Sequence, residues 1–434
     1  MAEGFNPFRI SSIRGLQVID SRGDPTVEVL VITEGGGSGR AIAPSGASKG
    51  KYEAVELRDN DIAKFKGRSV LKAVENVNTI IARALRGLDS RNQRHIDRVL
   101  IEVDGTPNKS RLGTNATTAT SLAVLKAAAD TAELPLFTYI GGPQARILPI
   151  PMLNVINGGI HAGNELAVQE FLIVPLGADS FFEAIKIAIE IYKDLKRIVK
   201  DRYGSSAINV GDEGGYAPPM KFTEEALQVL EKAIEKAGYE LGDNVYISLD
   251  AAATQFYDES RNTYRIDGKE LNASELLEYW LDIINRYAIL SIEDPFHEED
   301  FKSFASLASK VKNRCIIIGD DLTTTNINRL KKAIGENSIT GVIIKINQAG
   351  TFTEAADTTK LALTNGIKAV ISHRSGDSED NVIAHIAVGL STPFIKTGAP
   401  ARGERTAKYN ELLRIEDYLS GEALYAGKLL QLGK

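Results

Sequence analysis

The sequence predicts an α/β protein: a β/α (TIM-like) barrel in the C-terminal part, preceded by an α+β region. Three observations predict this. From about residue 143 short apolar runs alternate with amphipathic helical stretches, the rhythm of βαβ units. Six of those runs end in a polar or charged residue: Asp250, Glu293, Asp320, Lys345, His373 and Lys396. The steps between them are 43, 27, 25, 28 and 23 residues, mostly one strand plus one helix plus loops. In a barrel that spacing brings all six side chains to the C-terminal rim, where barrel active sites lie.

Taken in order, the first elements are strands. Phe8 to Ile13, Thr26 to Thr33 and Gly39 to Ala43 are short β-branched runs separated by Gly, Asp and Pro. Ser69 to Leu85 reads as a helix stopped by Gly87, and Asn115 to Ala132 as another, stopped before Pro135. Gly141-Gly142-Pro143 interrupts the pattern and marks a boundary, giving domains 1–142 and 143–434. A helix from Asp179 to Tyr203 is expected to open on Asp179 as its N-cap and to close at Gly204. Further helices run from Thr223 to near Gly238 and onward from Ser274, the latter carrying the only tryptophan, Trp280. Strands alternating with helices imply that the barrel strands are parallel.

The length of 434 residues allows more than one domain. The chain is 43% hydrophobic and 25% charged, which excludes disorder, collagen and coiled coil as whole-chain readings. With 57 acidic and 51 basic side chains the net charge is −6, a poor match for nucleic acid or an anionic membrane. Arg86, Arg91, Arg94 and Arg98 read as a solvated face. The single cysteine, Cys315, lies in an apolar run and reads as a buried, inert thiol in a reducing compartment. The N-terminal residues lack the apolar core of a signal peptide, and no stretch is apolar enough to span a membrane. The expected location is the cytoplasm.

Three carboxylates converging at one rim repel each other unless a cation lies between them. Oxygen-only ligation suits Mg²⁺, so Asp250, Glu293 and Asp320 form the candidate metal site. Lys345 and Lys396 point into the same basin. Beside bound cations a lysine's ammonium form is disfavoured, so its pKa is expected to fall and it can act as a base. A salt bridge to the acids is the alternative for either lysine. A lysine base beside a divalent ion is the known pattern of enolase-superfamily sites, suited to removing a proton next to a carboxylate. Two glycine-rich turns, Gly158 to Asn164 with His161, and Gly211 to Gly215 with Glu213, allow close backbone approach to a ligand. Gly50-Lys51-Tyr52 fails the P-loop pattern at both ends, which removes an ATPase reading. His95, His297 and His385 read as structural or surface residues.

The motifs, taken together, resemble one family almost end to end. They are Asp20-Ser-Arg-Gly-Asp-Pro-Thr-Val-Glu, Ser45-Gly-Ala-Ser48, His161-Ala-Gly-Asn and Gln169-Glu170-Phe171. Further along come Gly211-Asp-Glu213-Gly-Gly, Ile292-Glu293-Asp-Pro-Phe, Gly319-Asp320-Asp-Leu-Thr and Ile344-Lys345-Ile-Asn-Gln. Ser372-His373-Arg374-Ser375-Gly376 and Ile395-Lys396-Thr-Gly-Ala-Pro-Ala-Arg close the series. In this order they resemble enolase, the glycolytic and gluconeogenic phosphopyruvate hydratase.

The resemblance implies an N-terminal α+β domain capping a β/α barrel whose first elements are irregular. It implies 2-phosphoglycerate as substrate, dehydrated reversibly to phosphoenolpyruvate with two Mg²⁺ per site. Lys345 matches the base at C2. Glu213, helped by Glu170, matches the acid at the C3 hydroxyl. Asp250, Glu293 and Asp320 match ligands of the first ion, and Ser48 on a mobile loop matches a ligand of the second. Arg374 and Ser375 match phosphate contacts and Lys396 a carboxylate contact. His161 matches a loop residue that closes on substrate, and His373 lines the site. Relatives are homo-oligomers, dimers or octamers. Some also work at cell surfaces through lysines, and this chain ends in Lys434, although terminal lysines are common.

The chain departs from the family pattern at Lys49 (usually threonine), Asp24 (asparagine) and Gly403 (serine), and at Leu16 and Gln17, which replace a polar pair. The alternatives are another enolase-superfamily enzyme acting on a different carboxylic acid, which would lack the Ser372 to Ser375 run, and a non-catalytic interaction protein.

Overall fold

The computed structural model describes residues 5–47, 50–159 and 162–430. Ser48, Lys49, His161 and Lys434 lie outside the described residues.

The N-terminal region opens with a three-stranded antiparallel sheet, Ile10–Ile19, Pro25–Thr33 and Ser38–Ile42, in sequential order. The first strand runs six residues beyond its expected end at Ile13. It continues across Gly15, whose N–H donates to Asn78 Oδ1 at 2.7 Å and whose carbonyl accepts from Asn78 Nδ2 at 3.2 Å. The helix Thr114–Thr131 packs on this sheet. An added Cβ on Gly39 would stand 2.0 Å from the Ala123 carbonyl oxygen, so the missing side chain is what lets helix and strand approach. This helix is buried around most of its circumference, with small residues on every face. That suits a helix held between sheet and barrel: Thr114 Oγ1 donates to the Asn347 carbonyl at 2.6 Å, and Lys126 Nζ reaches Asp380 Oδ1 at 2.6 Å. The arginine-rich stretch forms part of a helix, Gln93–Asp104, that the sequence reading left unassigned. Its charges are paired, Arg91 with Asp89 at 2.6 Å and Arg94 with Asp357 at 2.5 Å.

Eight strands close a barrel. Around the ring they are Ile289–Glu293, Ile316–Gly319, Gly341–Ile344, Lys368–Ser372, Phe394–Lys396, Ile150–Asn157, Glu170–Val174 and Tyr246–Asp250. Seven run parallel. Glu170–Val174 is antiparallel to both neighbours, which corrects the expectation of an all-parallel ring drawn from strand–helix alternation. The described residues between Asn157 and Glu170 contain no α-helix, and a parallel return needs a crossover of helical length. A small sheet over Tyr257–Leu271 is inserted after Asp250, which explains the long first step of 43 residues in the repeat.

The barrel strands are buried on both faces, as the continuous apolar runs require. Trp280 is fully buried and its indole N–H donates to the Pro295 carbonyl at 2.9 Å. Cys315 is buried, and burial pushes its thiol up to about 12, so it is inert. The helix Phe181–Tyr203 is capped by Ser180, not Asp179: the Ser180 hydroxyl accepts from the Glu183 N–H at 3.1 Å, while Asp179 points outward to Lys428. The Glu416 carboxylate takes the next free donors, Phe181 N–H at 2.7 Å and Phe182 N–H at 2.8 Å.

The N-terminal region sits on the C-terminal rim of the barrel. Ser45 and Gly376 exchange backbone hydrogen bonds of 2.7 and 2.8 Å. Ser21 N–H donates to the Asp377 carbonyl at 2.8 Å, and Ala54 N–H to that of Gln348 at 2.9 Å. The Asp20 motif is an anchoring turn: Asp20 Oδ1 accepts from the N–H groups of Arg22 and Asp24, each at 2.9 Å.

Candidate active site

All six strand-end residues reach one rim. Asp250, Glu293 and Lys396 are the last residues of their strands, while Asp320, Lys345 and His373 follow theirs directly. The reversed strand contributes from its beginning. In register, Glu170 pairs with Asn157 on one side and Asp250 on the other, both of which close parallel strands. Reversal is therefore what brings Glu170 to the C-terminal rim. Glu213 arrives from a turn, where Gly214 has φ +87° and an added Cβ on Gly215 would stand 2.2 Å from Asn157 Oδ1.

Lys396 lies among carboxylates, with Nζ 2.9 Å from Asp250 Oδ2, 2.8 Å from Glu293 Oε2 and 3.0 Å from Glu170 Oε2. Burial disfavours its charge, but Asp250, Glu170 and Glu293 outweigh burial and hold it well above the ordinary lysine value. Lys345 donates to Asp320 Oδ2. Among the acids alone, Lys345 takes the other expected course, a salt bridge to them. Burial lowers its pKa, but Asp320 and Glu293 more than compensate and the ammonium is held above its ordinary value. Asp320 is correspondingly lowered despite burial, by Lys345 first. Glu293 and Glu170 are pushed well above the usual carboxylate range by burial, and by Asp250 and Glu213 respectively.

Two carboxylate groupings could hold a cation. Asp294, Asp320 and Asp321 place oxygens within 4.8 Å of one another. Asp294, however, is committed to the loop: its oxygens accept from the N–H groups of Asp320 at 3.0 Å and Asp321 at 2.7 Å. Asp250, Glu293 and Asp320, the set expected from the sequence, are paired with lysines here, Asp250 and Glu293 with Lys396 and Asp320 with Lys345. Glu293 Oε1 is buried and has no hydrogen-bond partner among the described residues, an oxygen suited to a hard divalent ion.

Opposite the acids, Arg374 is buried and its guanidinium meets Glu53 Oε2 at 2.9 Å and Asn347 Oδ1 at 3.2 Å. Ser375 is buried beside it. His373 is 3.5 Å from Glu213 Oε2, which also accepts from Asn154 Nδ2 at 3.2 Å. Burial brings the imidazole down to about 4, so His373 is neutral near pH 7. Glu170, Glu213, Asp250, Asp320, Lys345, His373, Arg374, Ser375 and Lys396 line one cleft. The predicted residues Ser48 and His161 lie outside the described residues.

Known proteins supply the kinship. Residues 145–432 match the family model of the enolase C-terminal TIM barrel domain, and residues 10–140 that of the enolase N-terminal domain. The chain belongs to the enolase family. It is an enzyme, a lyase of the phosphopyruvate hydratase class. Among its curated relatives, the enolase of Methanocaldococcus jannaschii is 54% identical over 421 residues, covering 97% of this chain and 98% of the relative. That of Aeropyrum pernix is 53% identical over 428 residues, covering 99% and 98%, and that of Pyrococcus furiosus 52% over 423 residues, covering 98% of each.

The structure adds residues that the sequence reading did not single out in this enolase-family site. Gln348 Nε2 donates to Asp320 Oδ1 at 3.1 Å and to Glu53 Oε1 at 3.3 Å, linking the acid triad to the Arg374 side. Asn154 braces Glu213. Arg405, nine residues after Lys396, is fully buried. Only Gln348 carried a visible signal, its place in the Lys345 motif. His95 is half-buried with its Nδ1 2.9 Å from Arg98 Nη2, His297 stacks on Tyr257 with centroids 4.2 Å apart, and His385 pairs with Glu411 at 3.2 Å, so all three have structural or surface surroundings away from the cleft.

Proposed function

We propose that the chain catalyses the Mg²⁺-dependent, reversible dehydration of 2-phosphoglycerate to phosphoenolpyruvate in glycolysis and gluconeogenesis. One observation carries the reading. In the eight-strand ring the strand before Lys345 stands four places from the Glu170 strand, directly across the barrel. A base and an acid group so placed address opposite faces of a substrate lying between them. The proton leaves C2 on one face and hydroxide leaves C3 on the other.

The C2 proton is weakly acidic because the neighbouring carboxylate is already negative, and its loss adds a second negative charge there. Lys345 takes that proton, and Lys396 holds the substrate carboxylate with a fixed positive charge in a buried site. Asp250, Glu293 and Asp320 would hold one Mg²⁺ and Ser48 a second, supplying further positive charge against the developing dianion. Glu213, with Glu170 beside it, gives a proton to the departing hydroxide. Arg374 and Ser375 hold the phosphate, and His373 lines the site on the Glu213 side; His161 is assigned to the substrate by the family motif alone.

The proposed domain division is 1–142 and 143–434, supported by the end of the helix Leu136–Gly141 and the left-handed Gly142 (φ +64°) at that point. We also propose a homo-oligomer, dimer or octamer. Leu16 and Ile19 on the first strand are exposed apolar side chains suited to a subunit contact. A cytoplasmic location is supported by the single, buried thiol.

The test is a direct absorbance assay for phosphoenolpyruvate formation from 2-phosphoglycerate, with Mg²⁺ and with chelator. Turnover that needs Mg²⁺ is expected. No product with Mg²⁺ present would overturn the proposal.

A further inference from the structure

Arg405 stands on the helix Gly403–Leu419 and has no exposed surface. Its guanidinium is spent almost wholly on the site. Nη1 donates to the Arg374 carbonyl at 2.7 Å and lies 2.6 Å from His373 Nδ1. Nη2 donates to the Ser375 carbonyl at 2.6 Å and the Asp212 carbonyl at 3.0 Å. One side chain thus ties the His373 to Ser375 run to the turn that carries Glu213. The acidic groups near it are distant for ion pairs, Glu404 at 3.5 Å and Asp377 at 4.0 Å, and Nε has no hydrogen-bond partner among the described residues. The charge is met chiefly by four short acceptors on the site and only at longer range by these two carboxylates.

A guanidinium can only donate. His373 Nδ1, 2.6 Å away, must therefore be an acceptor. A neutral imidazole with Nδ1 as acceptor carries its one proton on Nε2. Nε2 is the nitrogen 3.5 Å from Glu213 Oε2. That contact is too long for a hydrogen bond, and Nε2 has no other partner among the described residues. Oε2 accepts from Asn154 Nδ2 at 3.2 Å and has the Nε2–H as its next polar neighbour, so a proton on the Glu213 carboxyl belongs on Oε1 instead.

We propose that Arg405 is a positioning residue: it fixes the His373 tautomer and thereby selects which oxygen of Glu213 carries the proton delivered to the leaving hydroxide. The proposal rests on the hydratase reading above. It assigns Arg405 to the second bond-breaking step and leaves proton removal at C2 to Lys345.

The test joins ring ¹⁵N NMR of His373 to kinetics in wild type, Arg405→Lys and Arg405→Met. In wild type near pH 7 the proton is expected on Nε2. Arg405→Met should shift population to the Nδ1–H tautomer and lower kcat by roughly 10- to 100-fold, the usual worth of an outer hydrogen-bond partner. KM should move little, and C2 proton exchange with D₂O should persist. Arg405→Lys keeps one donor toward Nδ1 and should recover both the tautomer and part of kcat. A protonated Nδ1 in wild type overturns the proposal without any variant having to fold. So does an Arg405→Met protein whose tautomer switches with kcat unchanged. A wild type with no hydratase activity would instead overturn the proposed function while the tautomer assignment stood.

Discussion

On one side of the rim, Asp250, Glu293, Asp320 and Lys345 each stand at the end of a parallel strand in a regular repeat. On the other, Glu170 opens a strand that runs backwards, and Glu213 stands in a turn held by glycines and by Asn154. The first side is positioned by the barrel itself. The second is positioned by exceptions to it. Metal ligation needs several carboxylates at similar height, which a strand repeat supplies. Delivering a proton to the opposite face needs groups reaching in from across the ring, which the reversed strand and the turn supply.

If both sides are needed, losing either should stop turnover. Lys345→Ala and Glu213→Gln are each expected to lower kcat by about 10²- to 10⁴-fold in a steady-state assay. Near-normal turnover in either variant would mean that one side is dispensable. The sides should separate in metal binding. Asp320→Asn should weaken the tighter Mg²⁺ site at least about tenfold by calorimetry with a substrate analogue, whereas Glu213→Gln should leave that affinity close to wild type. Equal losses would erase the distinction between them.

The same division decides what could be read from the sequence. The strand-end series was legible because its period is physical: one strand, one helix and two loops recur at nearly constant length. The polar residue ending each run marks the rim directly. Glu170 opens its strand, so the same rule hides it, and only family resemblance singled it out. Glu213 stood out as a glutamate between glycines, without any sign of what it faced. Arg405 and Asn154 were invisible. An arginine nine residues past a strand end reads as a solvated helix residue, and only packing shows it buried against His373. The salt bridge from Lys345 to Asp320 was one of two readings the sequence left open, because strand-end spacing does not show which acid the ammonium meets. The helix cap at Ser180 was misplaced by one residue, because Asp and Ser are equally good caps and backbone geometry decides between them.

Smaller changes should show how tightly each side is built. Gly215→Ala pushes a methyl toward Asn157 and should cost about 1–3 kcal/mol of stability by denaturant titration, with kcat reduced through Glu213. Gly335→Ala, at the end of the helix Ile327–Gly335 on the regular side, meets nothing within 4 Å and should be neutral or slightly stabilising. Comparable losses at both would contradict the contrast. Without effect on catalysis, Gln17→Ala removes an acceptor whose Oε1 takes the Val70 N–H and the Ser69 hydroxyl, each at 2.9 Å, remote from either side of the rim. It should cost about 1 kcal/mol, as a lost cap does, and leave kcat unchanged.

The central claim is that base and acid act from opposite sides of the ring on two separate bonds. The measurement that reaches it most directly is C2 proton exchange of 2-phosphoglycerate in D₂O, followed by NMR for Lys345→Ala and Glu213→Gln. Lys345→Ala should lose exchange together with turnover. Glu213→Gln should lose turnover yet keep exchange, because the base side is intact. Exchange that persists without Lys345 and disappears without Glu213 would contradict the assignment.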